Sequence, residues 1–179
     1  MNEHAAQDIR NVALVGHSGS GKTTLTEAIL YTAGATTRMG TVQDGNTVSD
    51  YLPEEHNRKF SLNATLVQFE YGTTKINLID TPGYTDFIGE AKGALRAVDG
   101  ALVVVNAQTG IQVGTELLWG FANQYDLPRL VVVNALSREH ANFADVLEHA
   151  RARFGSGVAV CQFPVNQGEG FSQIVDVLG

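Results

Sequence analysis

Cysteine is nearly missing from this chain. Cys161 is the only one in 179 residues, so no internal disulfide can form, and the composition suits a reducing compartment. Positive charge is scarce as well. Twelve lysines and arginines against nineteen aspartates and glutamates leave a formal net charge of −7, which disfavours a nucleic-acid grip by bulk electrostatics. Long apolar runs are absent: the longest, Ala101 to Val105, stops at Asn106, far below the ~18–20 residues of a membrane-spanning helix. The opening Met1, Asn2, Glu3 and His4 are polar, with no signal-peptide core behind them. The five histidines, at 4, 17, 56, 140 and 149, share no metal-ligand spacing with Cys161. We therefore expect a cytoplasmic, monomeric domain with no membrane partner.

What is present reads as one folded unit. Hydrophobic residues make up 44% and charged residues 17%, a balance for one buried core rather than disorder. Strand-like and helix-like segments alternate. Asn11 to Val15, Ala101 to Val105 and Arg129 to Val133 are short Val/Leu-rich runs, as buried parallel strands require. Ser61 to Glu70 and Lys75 to Ile79 read as a hairpin turning at Gly72. Apolar residues at helical spacing follow Lys22, span Phe87 to Val98 and Leu117 to Tyr125, and run from Phe143 to Phe154, where Gly155 caps the end. Val158 to Phe163 is expected to add a last strand, and Phe171 to Leu178 a last helix. Residues 35 to 60 lack a dominant period, as functional loops do. The fold class expected is α/β, with a mostly parallel sheet, helices on both faces and one antiparallel edge strand; Gly16-His-Ser-Gly-Ser-Gly-Lys-Thr23, between the first strand and the first helix, makes it a phosphate-loop NTPase.

Gly16, Gly21, Lys22 and Thr23 satisfy Gly-x-x-x-x-Gly-Lys-[Ser/Thr] between a strand and a helix, where that motif has to sit. Glycines let backbone amides close around a polyphosphate, and the helix N-terminus adds a favourable dipole. The candidate nucleotide-binding residues are His17, Ser18, Gly19, Ser20, Gly21, Lys22, Thr23 and Thr24. Lys22 is placed to reach the β- and γ-phosphates, and the Thr23 hydroxyl to ligate Mg²⁺. Asp80, at the end of a strand beside the first loop, is placed to hold Mg²⁺ through water, and the Gly83 N–H to meet the γ-phosphate.

With both motifs in place, the chain resembles the G domain of bacterial elongation factor G. The likeness lies in Asp80-Thr-Pro-Gly-Tyr-Thr-Asp-Phe87, Asp44-Gly45, Asp50-Tyr51, the stretch from Leu95 to Ala101, and Arg138 to Phe143. It implies a GTPase domain that binds GTP or GDP with Mg²⁺ and serves the ribosome through a full-length factor. It also implies that residues 35 to 61 form switch I, with Ser61 as the Mg²⁺-binding hydroxyl. Residues 1–179 would then be the amino-terminal GTP-binding domain of a longer, multidomain factor. That family inserts a subdomain after the segment matching Val160 to Leu178, with its last base-binding loop beyond. Residues 164–170 also look like a generic last GTPase loop ahead of a helix.

Several positions depart from the family pattern. Tyr84 stands where the family has its catalytic histidine; a phenol of pKa ~10 is a poor base at neutral pH but can still position water. We take Lys22, Gly83 and Tyr84 as the catalytic set, with slow hydrolysis expected. The base-recognition motif Asn-Lys-x-Asp is replaced by Asn134-Ala135-Leu136-Ser137. Asn134 can meet the guanine edge, but Ser137 cannot accept two charge-assisted bonds, a loss of roughly 3–6 kcal/mol. Gly19 occupies a position where such GTPases often carry aspartate, and Lys59-Phe60 replaces Gly-Ile in switch I. Two other readings stay open: a non-catalytic degenerate phosphate-loop module that docks to a partner, and an NTPase with relaxed base specificity.

Overall fold

A computed structural model describes residues 4–178; the polar Met1 to Glu3 and the terminal Gly179 lie outside the described residues. Five strands form the main sheet in the order β2-β3-β1-β4-β5: β1 is Ile9–Val15, β2 Thr65–Tyr71, β3 Thr74–Asp80, β4 Gly100–Asn106 and β5 Arg129–Asn134. All pairings are parallel except β2 with β3, which gives the single antiparallel edge strand expected. The helices are α1 (Lys22–Thr32), α2 (Pro53–Arg58), α3 (Ile88–Leu95), α4 (Val113–Gln124) and α5 (Phe143–Phe154).

Alternation along β1 divides the core in two, because successive side chains leave opposite faces of a strand. Leu14 joins Leu78, Val67 and Val104 beneath α1, whose Leu30 completes that cluster. Ala13 and Val15 join Val103 and Val105 on the other face, covered by Ala91 and Leu95 of α3, Leu118 of α4 and Val146 of α5. All of these side chains are at most 6% exposed. At about 25 cal/mol per Å² of apolar surface, this burial is the dominant stabilising term.

Two expectations fail at the carboxyl end. Val158 to Phe163 does not extend the main sheet. Instead Gln162–Pro164 forms β6, which pairs antiparallel with Ile174–Asp176, or β7, as a separate two-stranded ribbon. The stretch expected as a helix over Phe171 to Leu178 thus holds β7 flanked by irregular backbone. Ile174, Val175 and Val177 are β-branched, which favours extended backbone, and the segment buries no apolar stripe that could hold a helix against the core. Residues 164–170 accordingly link β6 and β7, with no helix behind them. Smaller differences have local causes. The hairpin strand starts at Thr65 rather than Ser61, because residues 61–63 bond to Glu55 and Asp50. Pro53, which suits a first helical position, opens the short α2 inside the long loop.

Candidate phosphate and metal site

The loop between β1 and α1 closes only because of its glycines. A Cβ on Gly16 would lie 2.3 Å from the Val104 carbonyl oxygen, and φ there is +150°. Gly21 precedes α1 in the left-handed region at φ +89°, where a side chain would strike the Asn134 amide. Inside the turn, Lys22 is 6% exposed and its Nζ donates to the carbonyls of Gly16 at 2.9 Å and His17 at 3.1 Å. Burial lowers its pKa to about 8, against the opposing charge of Asp80.

Parallel pairing places Asp80 beside Leu14, at the same end of the sheet as the loop. Thr81 locks that end by donating to the Leu14 carbonyl at 2.6 Å. Asp80 is 1% exposed, yet neither carboxylate oxygen accepts a hydrogen bond of good geometry among the described residues. Burial pushes its pKa up to about 6; the charge of Lys22 and the nearby hydroxyls of Thr23 and Ser49 pull the other way. A buried carboxylate without a hydrogen bond is costly unless something cationic meets it. This orphaned carboxylate, set among hydroxyls, is a donor set suited to a hard divalent cation such as Mg²⁺, which takes oxygen ligands and keeps several waters.

The long loop before β2 supplies the rest. The Ser61 hydroxyl lies 3.1 Å from that of Thr23 and donates to Asp50 Oδ1 at 2.6 Å. Asp50 is 3% exposed, and its pKa is raised, chiefly by burial. Two buried glutamates shape the segment. Glu27 of α1 accepts from Gly40 N at 2.7 Å and Val48 N at 2.6 Å. Glu55 of α2 accepts from four backbone amides, those of Tyr51, Leu52, Leu62 and Asn63. Gly83 closes from the other side: a Cβ there would lie 2.5 Å from Lys22 Nζ and 2.7 Å from Ser18 N. The next residue, Tyr84, is 42% exposed and its ring meets Phe60, with centroids 4.4 Å apart and planes tilted by 51°.

The structure therefore brings together Lys22, Thr23, Ser61, Asp80 and Gly83. Asn134 is drawn in as well, although its amide donates to the Ser20 carbonyl at 2.9 Å. Ser137 is exposed, Ala135 holds a left-handed φ of +61°, and Thr24 faces solvent. Residues 164–170 do reach this end of β5, where Gly168 N donates to the Leu136 carbonyl and Gln167 accepts from Phe143 N. Sequence reasoning gave no role to Glu27, Ser49 or Asn106, used Asp50 only for its resemblance, and took Glu55 for a solvated charge, whereas it is 1% exposed and holds four amides. Glu55, following Leu52 and Pro53 at a helix start, carried a readable capping signal. A cavity of about 1070 Å³ lies elsewhere, between the outer edge of β5, α5 and the β6–β7 ribbon. Its walls are mostly apolar, and it lacks the convergent amides, lysine and carboxylate of the loop.

A mostly parallel sheet whose first turn wraps a buried lysine, faced by a buried aspartate, defines a phosphate-loop nucleotide-binding domain. Comparison narrows the class. Residues 7–178 match the family described as Elongation factor Tu GTP binding domain, and the chain belongs to that family. It is similar to elongation factor G 2 of Borreliella afzelii, at 38% identity over 95% of this chain and 25% of that protein. It is also similar to the mitochondrial ribosome-releasing factor 2 of Drosophila willistoni, at 39% identity over 97% of this chain and 23% of that protein. A crystal structure from Thermus thermophilus superimposes with a TM-score of 0.89 and 43% identity, covering 94% of this chain and 25% of that one. The chain thus spans about a quarter of the length of these relatives, and within the family it is elongation factor G-like. Among the described residues, no helix is long and apolar enough to cross a membrane.

Proposed function

We propose that this chain binds GTP and GDP with Mg²⁺ and hydrolyses GTP slowly, as the GTP-binding domain of an elongation factor G-like translational GTPase. In this reading residues 1–179 are the amino-terminal domain of a longer cytoplasmic factor, monomeric, acting on the ribosome. The observation that carries it is the buried Asp80 carboxylate, which accepts no well-aimed hydrogen bond among the described residues, near Lys22 and the Thr23–Ser61 hydroxyl pair.

The backbone amides of residues 17–22 hold the phosphate chain, and Lys22 supplies positive charge to its β- and γ-oxygens. Thr23, Ser61 and Asp80 would hold Mg²⁺, which when bound neutralises charge on those oxygens. The Gly83 N–H orients the terminal phosphate. Tyr84 orients the attacking water by donating a hydrogen bond rather than by taking its proton. Phosphoryl transfer depends on positioning more than on a base, so turnover is slow rather than absent.

Base selection is weak in this reading. Asn134 is engaged with the loop, and Ser137 offers no carboxylate to guanine N1–H and its 2-amino group. Relaxed base specificity is therefore the second reading. Calorimetric titration with GTP, GDP, ATP and XTP in Mg²⁺ tests both. We expect binding that Lys22→Ala abolishes, and GTP affinity that rises about 10²-fold or more on combining Ala135→Lys with Ser137→Asp. Equal affinity for ATP and GTP would select the relaxed NTPase; no binding at millimolar concentration would leave a docking module.

A further inference from the structure

Two asparagines hold the phosphate loop from behind. Asn106 ends β4, Asn134 ends β5, and the two are register partners in the sheet. Their side-chain amides donate to consecutive loop carbonyls, Asn106 Nδ2 to Gly19 O at 3.2 Å and Asn134 Nδ2 to Ser20 O at 2.9 Å. The orientation of Asn106 is set by a second bond, in which its Oδ1 accepts from Gln108 N at 2.8 Å. The strand ends are tied together by Ala107 N, which donates to the Asn134 carbonyl at 2.8 Å. A carboxamide suits position 106 because its oxygen faces a donor and its nitrogen faces an acceptor. Aspartate has the same shape but would set an oxygen against the Gly19 carbonyl with no proton between them.

A trans peptide points its N–H opposite to its C=O. Holding Gly19 O and Ser20 O toward the strand ends therefore keeps the following amides, Ser20 N–H and Gly21 N–H, on the inner side of the turn. Ser20 N reaches that side already, donating to the His17 carbonyl at 3.3 Å. An anion-binding turn needs this polarity, because a carbonyl rotated inward would repel phosphate.

We propose that Asn106 is a positioning residue for the phosphates, acting through Gly19; this rests on the nucleotide-binding reading above. Position 106 belongs to neither the phosphate-loop motif nor the base-recognition motif, so motif reading passes over it. The test compares Asn106→Asp and Asn106→Ala with the parent chain by calorimetry with GDP, GTP and ATP in Mg²⁺. Amide exchange at residues 18–21 is followed in parallel on nucleotide-free protein. Asn106→Ala should weaken binding about 3- to 10-fold and Asn106→Asp by about tenfold or more, by the same factor for every base. Exchange at residues 18–21 should quicken while β1 and β4 stay protected. Affinities within twofold of the parent, or a loss confined to one base, would overturn the assignment. If the parent binds no nucleotide the functional reading fails instead, and exchange alone then decides Asn106: unchanged protection at residues 18–21 rejects the clamp, and faster exchange supports it.

Discussion

Ser61 and Thr23 face each other hydroxyl to hydroxyl at 3.1 Å, although one lies at the end of the long switch loop and the other in the first turn of α1. Asp50 turns the Ser61 hydroxyl by accepting its hydrogen bond, which leaves a lone pair of Ser61 for a cation. Ser61→Ala should weaken Mg²⁺-dependent triphosphate binding about tenfold and leave diphosphate binding nearly unchanged. Ser61→Thr should retain parental affinity. Calorimetry with and without EDTA separates the two.

Asp80→Asn is expected to stabilise the nucleotide-free protein while abolishing its Mg²⁺ dependence. The folded pKa of Asp80 is raised to about 6, above the unfolded value, so the folded state binds the extra proton between roughly pH 4 and 6. Stability contributed by this group is thus greatest at low pH and declines as pH rises through that window. At pH 7.5 the asparagine variant should be about 1–3 kcal/mol more stable, and the gain should vanish toward pH 4. Urea denaturation across pH measures it; a variant less stable at pH 7.5 contradicts the strained-carboxylate account.

The Phe60–Tyr84 contact joins the long loop before β2 to the loop after β3. An aromatic pair adds ~0.5–1.5 kcal/mol beyond its burial, so Phe60→Ala should speed opening about 2- to 12-fold. Arg58 and Lys59 are exposed just before it and serve as trypsin sites. Faster cleavage there in Phe60→Ala, restored by Phe60→Tyr, is the expected result with a non-hydrolysable triphosphate present. Equal cleavage of parent and variants would show that the rings do not hold the loops.

Glu55 gathers four amides with one carboxylate, and Gln can accept at only one end. Glu55→Gln should lower the local opening free energy of residues 47–63 by about 2–4 kcal/mol and spare the main sheet. Hydrogen exchange resolved by residue would show this. Uniform loss of protection across β1, β3 and β4 would mean that Glu55 supports the whole domain instead.

The strands around Leu14 and Val103 were legible because a strand buried on both faces writes itself as an unbroken apolar run, whereas β5, expected to be buried, lies at the sheet edge with Leu130 exposed. Lys22, Thr23 and Asp80 were legible because phosphate chemistry fixes their spacing and their place at strand ends. The ribbon of Gln162–Pro164 with Ile174–Asp176 was not, since Phe171, Ile174 and Val175 match a helical stripe as readily as a short strand, and only the missing partner surface decides. The long loop hid its order for a different reason. Glu27 and Glu55 look like ordinary surface acids in sequence, and their burial follows from amides that converge on them from distant residues. Asn106 was invisible in the same way, as its partner carbonyl lies in the turn between β1 and α1.

Glu27 lies one turn beyond Lys22 and Thr23 on α1, and it is the anchor for Gly40 and Val48. One short rod therefore carries Lys22 at its tip and the anchor of Gly40 and Val48 about a turn further along. Any tilt of that rod would shift the end of the phosphate loop and the anchored segment together.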